Sequence, residues 1–438
     1  MNALDLIVGP IIALLVLFFA FLLKPYVTTI HTAKYYFPAL TLKLFAVVGL
    51  GCLYQFYYGG GDTFTYFTHG ARHIYNGFMD NPIIGLRLIF SDANYLDGVF
   101  NYASKIWVYR DEPSFMVVRI AGFISLFSVG TYLGTSMWFA AFSFTGLWAM
   151  FSAFSKLFTE KTTLLAIAIL FIPSTIFWGS GILKDTITFG FLGWVATASI
   201  YLIHFRNKRW FWLFVIIISL VVIYLIKMYI VLCILPGVIV WFYLAKINEV
   251  KNKMLKILIA PFMVVLCLLL GYKAIDTISA SNDKYALNNI SETVKVTAYD
   301  IGRWTGRNAG SGYDLGDLDG TFLGMLKLAP QALVVALFRP FLWEVSSPLM
   351  LVAALESLLI LILSLITIIK VVKSPLNWQY HPVVIFCFVF AITFAFAVGI
   401  TSYNFGTLFR YKIPLMPFYG IALALTWSSK KSTSKQLS

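Results

Sequence analysis

Long apolar runs alternate with short polar stretches along this chain, and most runs are about as long as a bilayer crossing. A membrane helix needs roughly 20 apolar residues to span about 30 Å of hydrocarbon. By that measure the sequence predicts spans at 5–24, 36–57, 115–135, 138–157, 163–181, 185–205, 210–226, 228–246, 254–272, 349–370, 381–400 and 406–427. The expected fold is an all-α polytopic membrane protein of about 12 transmembrane helices (11–13) with juxtamembrane helices on the outer side. The stretch 322–344 carries Pro330, Arg339 and Pro340 within a moderately apolar run, and it reads as a surface or re-entrant helix. Residues 1–427 are expected to form a single transmembrane domain with outer loops at 59–114 and 274–345, followed by a basic cytoplasmic tail at 428–438.

Composition supports that reading. The 438 residues are 60% apolar and 12% charged, against about 25% charged in a soluble domain. Residues 1–5 carry no basic group ahead of the first run, so that run reads as a retained span and not a cleavable signal. The net charge of +14 fits positive-inside topology, and no soluble basic face for nucleic acid is visible. Cys52, Cys233, Cys267 and Cys387 all sit in apolar runs and read as small buried hydrophobes. The Phe- and Lys-rich composition fits a bacterial inner membrane.

Orientation follows from the short basic connections. Arg206, Lys208 and Arg209 mark a cytoplasmic loop, as do Lys251, Lys253 and Lys256, then Lys370 and Lys373. Counting outward from these puts 179–185, 274–325 and 401–410 on the outer side. Lys24 and Lys34 bracket the first connection, which puts Asp62 outside as well. The two counts conflict. From Asp62 to a cytoplasmic Lys156 and Lys161 an odd number of crossings is needed, and two are read, so 83–157 must hold a re-entrant segment or an extra crossing.

The outer side gathers the candidate chemistry. Gly59, Gly60 and Gly61 free the backbone just before Asp62, after which Phe64, Phe67, Ala71 and Tyr75 recur at helical spacing. This predicts a surface helix with an acid at its N-terminus, the acid serving as N-cap, as base, or as both. Tyr66 and His69 lie on the same helix. His69 and His73 are four residues apart, but no third metal ligand stands at a telling distance, so they read as interfacial histidines. Lys184 and Asp185 join two spans, and Lys227 marks another outer junction. Ionisable groups at span ends are functional candidates by default, and a local ion pair is the plainer alternative.

The long outer loop holds Arg303, Trp304, Arg307 and Tyr313, which offer cations for phosphate and rings for a sugar face. The Gly- and Asp-rich part from 307 to 320 lacks the closing glutamate of a calcium loop. Arg339 and Glu344 flank an aromatic patch, and Arg410 with Lys412 opens the last span as a candidate phosphate clamp, or as snorkelling anchors.

On Gly61-Asp62-Thr63 with Tyr66, the dozen-span layout and the late 404–417 stretch, the chain resembles the GT-C superfamily of integral-membrane glycosyltransferases. It differs in placing the acidic loop after the second span and in lacking a large C-terminal outer domain. The resemblance implies a polyprenyl-phosphate-linked sugar as donor, a glycan or lipid acceptor, Asp62 as catalytic base, and Arg410 or Lys412 on the donor phosphate. The same pattern is similar to bacterial exopolysaccharide and O-antigen polymerases, which join lipid-linked repeats. No protein cofactor is implied beyond the donor, and no residue pattern supports a divalent metal. A flippase or transporter is the competing class. It should carry charges in the middle of its spans, and by this reading only Glu356 does.

Overall fold

The computed structural model describes residues 1–90, 98–205, 207–247, 295–296, 299, 311–316, 322–373 and 382–426. The expected span at 254–272, Cys267, Arg303, Arg307 and the basic tail lie outside the described residues. The chain divides into two units, Met1–Met228 and Tyr229–Ser438.

The first unit begins with α1 (Ala3–Val27) and α2 (Ala33–Cys52), the latter continued by a π-helical turn at Leu53–Tyr57. Short helices follow: α3 (Asp62–Tyr66), α4 (Arg72–Asp80), α5 (Pro82–Phe90), α6 (Phe100–Ala103) and α7 (Glu112–Ser125). Then come α8 (Tyr132–Leu157), α9 (Thr162–Leu170), α10 (Pro173–Trp178), α11 (Lys184–Ile200) and α12 (Arg209–Ile247), whose residues from Tyr229 on belong to the second unit. Helix α8 lies at the centre, packed against α1, α2 and α11. The α8–α11 crossing is tight because glycines meet there: a Cβ at Gly146 would stand 1.9 Å from the Gly190 carbonyl oxygen. Small residues that let backbones touch are the usual means of packing helices in lipid, where no hydrophobic force drives them together.

The second unit holds α13 (Phe322–Lys327), α14 (Ala329–Phe338), α15 (Pro348–Lys373), α16 (Pro382–Ser402), α17 (Phe405–Tyr411) and α18 (Leu415–Thr426). Helix α16 packs on α14 and α18, with Phe386, Phe390 and Phe418 forming an aromatic core.

Among the described residues, seven helical stretches are long and apolar enough to cross a membrane: Ala3–Val27, Ala33–Tyr57, Tyr132–Leu157, Lys184–Phe205, Arg209–Ile247, Pro348–Lys373 and Pro382–Ser402. The chain is an all-α polytopic membrane protein. Five expected spans take another form. The run at 115–135 is α7, 14 residues long, closed by a left-handed turn at Val129 and Gly130. At about 1.5 Å per residue it reaches only about 21 Å. The run at 163–181 is split into α9 and α10, because Pro173 starts the second helix and ends the first. The runs at 210–226 and 228–246 are one 39-residue helix, α12, interrupted at Lys227 (φ −146°, ψ 77°). The run at 406–427 is split into α17 and α18, with Pro414 in the break and Pro417 three positions on.

Among the described residues between Asp62 and Lys156, only α8 has the length and apolarity of a span.

Candidate functional site

Asp62 stands where the backbone is least ordinary. Gly59, Gly60 and Gly61 all take positive φ (65°, 145° and 121°), conformations that cost a side-chain-bearing residue strain. Any Cβ at Gly61 would also sit 2.8 Å from the ring of Tyr54. This turn aims the chain into a helical run from Asp62 to Asp80, built of α3, a π-turn at Phe67–Ala71 and α4. The expected helix is therefore present, although His69 (φ −99°, ψ 18°) kinks it. The N-cap is Gly61, not Asp62. Asp62 is instead half-buried in the first turn, where the positive end of a helix favours a carboxylate.

Neighbouring side chains clamp this turn. The Thr63 hydroxyl bonds the Tyr132 hydroxyl at 3.0 Å, and Phe64 stacks on the same tyrosine at 4.5 Å. Thr63 also borders Gly181, 3.7 Å from where a Cβ would lie, which brings the acidic turn against the 179–185 segment. Tyr66 is buried. His69 is stacked flat on Trp107, with ring centres 3.7 Å apart. Burial, then the charges of Lys105, His69 and Arg72, hold His73 below the usual histidine value of 6.5.

Residues 179–183 form a bent connection between α10 and α11, whose first turn holds Lys184 and Asp185. Lys43, buried in the middle of α2, donates to the Gly179 carbonyl at 2.5 Å and fixes one end. At the other end the two charges part company. Lys184 reaches the Asp111 carboxylate at 3.4 Å, while Asp185, fully buried, accepts from Lys227. The expected local pairing of Lys184 with Asp185 is not what forms. Consecutive residues in the first turn of α11 point to different sides, so each finds a partner far along the chain. Lys184 lies within electrostatic range of Asp111, Lys227 and Asp62. Thus Asp62, Asp111, Lys184, Asp185 and Lys227 make one polar cluster in the first unit, three carboxylates with two ammonium groups. Asp111 of this cluster, and Lys43 on the Gly179 carbonyl, are the residues that sequence reading passed over. Asp111 hides in a stretch without other signals. Lys43 was visible as a lysine at the middle of a predicted span, and it corrects the view that Glu356 alone is charged at mid-span.

The other candidates lie in the second unit. Arg339 binds Glu344 through Nε at 3.0 and 3.1 Å and through Nη2, and its guanidinium lies over the Phe405 and Tyr313 rings. Burial alone would raise the Glu344 pKa. The hydrogen bonds from Arg339 and from the Phe341 N–H outweigh it and hold the carboxyl below the usual value. Burial pushes the Tyr313 hydroxyl up, and that hydroxyl donates to the Gly399 carbonyl at 2.9 Å. Asn404 caps α17 by accepting from the Thr407 N–H at 3.1 Å. Arg410, in the last turn of α17, is half-exposed over Tyr411. Lys412 is fully buried, donating to Ser357 at 3.0 Å within electrostatic range of Glu356. It is therefore an internal lysine and not a snorkelling one.

Among the described residues, no group of three or more His, Cys, Asp and Glu side chains is placed to hold a metal ion, and Cys52, Cys233 and Cys387 form no disulfide. In comparisons with known proteins, no family model matches the chain, no curated protein matches it, and no solved structure matches it. Fold and site define a class: an α-helical, multi-pass integral membrane protein with a buried polar cluster behind a glycine turn.

Proposed function

We propose that this protein is a membrane glycosyltransferase that moves a sugar from a polyprenyl-phosphate carrier to a glycan or lipid acceptor. The observation that carries the reading is Asp62: a half-buried carboxylate, aimed by three positive-φ glycines, within electrostatic range of Lys184. In the proposed reaction the acceptor hydroxyl gives its proton to Asp62. Its oxygen bonds the anomeric carbon, and the bond from that carbon to the phosphate oxygen breaks, with the electron pair leaving on the lipid phosphate. Lys184, whose contact with exposed Asp111 is long, supplies a cation for that developing charge. Joining lipid-linked repeats, as a polysaccharide polymerase does, would use the same steps with a larger donor. The outer face of a bacterial inner membrane is the proposed setting.

A specific observation favours a second reading. Lys43, the Asp185–Lys227 pair and the Glu356–Lys412 pair are charges buried within the helical bundle. Intramembrane charges also mark transport pathways, and a lipid-linked-sugar flippase would use them. The two readings separate in one assay. Purified protein in detergent is given a polyprenyl-phosphate sugar and an acceptor, and released lipid phosphate is measured. Turnover by the native chain, abolished in Asp62→Asn with folding intact, is the expected result. Undiminished turnover in Asp62→Asn would remove the base assignment. Absence of turnover in detergent, with movement of the lipid-linked sugar in sealed vesicles, would establish the flippase.

A further inference from the structure

The second unit contains a cavity of about 830 Å³, walled by α14, the turn that follows it and the 314–316 segment, within the size of small-molecule sites, about 300–1,000 Å³. Its lining is mixed. Phe341 and Trp343 stack at 4.7 Å, and Trp343 is 81% exposed. Around them stand planar polar groups: the Gln331 amide, the Glu344 and Asp314 carboxylates and the Arg339 guanidinium.

The groups are held in place before any ligand arrives. Glu344 receives Arg339 and the Phe341 N–H, Arg339 is seated on two rings, and Asp314 accepts from the Gly316 N–H at 2.9 Å. Arg339 spends Nε and Nη2 on Glu344, and among the described residues its Nη1 edge makes no hydrogen bond. Two carboxylates against one guanidinium leave the lining net negative. That balance repels a phosphate. A neutral polyhydroxylated ring meets the opposite conditions. Its C–H face packs on an indole, and adjacent hydroxyls donate to a carboxylate while accepting from a guanidinium edge or an amide.

We infer that this cavity is a binding site for a neutral sugar ring, with Trp343 as the stacking platform and Glu344, Arg339 and Gln331 reading the hydroxyls. The inference rests on the glycosyl-transfer reading for the class of ligand it names.

The experiment is direct binding. Full-length protein in nanodiscs is titrated with chitotriose, cellotriose and mannotriose, with inorganic phosphate as competitor. At least one trisaccharide is expected to bind. Trp343→Ala, an exposed change that leaves the core intact, is expected to weaken it about tenfold or more, and Trp343→Phe to restore part of the loss. Glu344→Gln should weaken binding as well, and phosphate should not compete. Failure of all three sugars, binding indifferent to Trp343→Ala, or displacement by phosphate would each overturn the inference. Asp62→Asn separates the two claims. It should abolish transfer and leave trisaccharide binding unchanged. Sugar binding that depends on Trp343 in a protein without transferase activity would keep the site and discard the reaction.

Discussion

At Gly61 a single hydrogen atom decides whether the acidic turn can form. Gly61→Ala places a methyl group 2.8 Å from the Tyr54 ring at a φ of 121°. A penalty of about 1–3 kcal/mol is expected from the backbone alone, read as a lower Tm together with loss of transfer. Lys43 poses a different question. It is buried and meets the Gly179 carbonyl, with no carboxylate bonded to it. Replacing such a charge with an apolar side chain of similar shape often costs no stability. Lys43→Met should therefore leave Tm unchanged or raised while transfer falls, because the 179–185 bridge loses its anchor. Unchanged transfer would make Lys43 a passenger. His73 gives a pH test. Its folded pKa lies below 6.5 through burial and the neighbouring cations, so the unfolded chain takes up the proton first as pH falls. Its contribution to stability is thus present above 6.5 and lost as pH drops through the lower folded value. His73→Gln should flatten the decline in Tm between pH 7 and 5. An unaltered slope would assign the decline to another group.

At the scale of elements, the interruptions carry the function. Helices α9 and α10 are separated before Pro173, α12 breaks at Lys227, and α17 and α18 part around Lys412. Non-helical backbone at membrane depth survives only where protein or water satisfies its polar groups, and here each break adjoins a buried charge. The Asp185–Lys227 pair ties α11 to the kink of α12. Removing one partner of a buried pair typically costs about 3–5 kcal/mol, while removing both for apolar residues is much milder. Asp185→Asn or Lys227→Met alone should lower Tm sharply, and the double variant Asp185→Leu with Lys227→Met should recover most of it. Additive losses would show that the two groups act independently. These interruptions mark the limit of what the sequence discloses. The apolar runs gave the long helices within a few residues, since hydropathy responds to length and composition. It does not respond to a single proline or to a lysine that leaves the helical region, so 163–181 and 406–427 read as unbroken and 210–246 as two spans. The Asp62 helix was legible because Phe64, Phe67, Ala71 and Tyr75 recur at helical spacing after the glycine break. The partners of Lys184 and Asp185 were not, because a pairing across 73 or 42 residues has no local pattern.

At the scale of the molecule, the account makes the first unit a site in which Asp62 and Lys184 serve one reaction at one aqueous face. From the sequence, both are expected on the outer side, through two separate counts of basic loops. The Thr63–Gly181 approach and the electrostatic reach from Asp62 to Lys184 bring the two together in space. The measurement that bears on this most directly is labelling of Asp62→Cys and Lys184→Cys in intact cells, with Cys52, Cys233, Cys267 and Cys387 replaced and a membrane-impermeant thiol reagent outside. The account requires both positions to label from outside, and each to be protected when a polyprenyl-phosphate sugar is bound. If one labels and the other is reached only from the cytoplasm, the two groups face opposite sides, no single site contains them, and the glycosyl-transfer mechanism built on Asp62 falls.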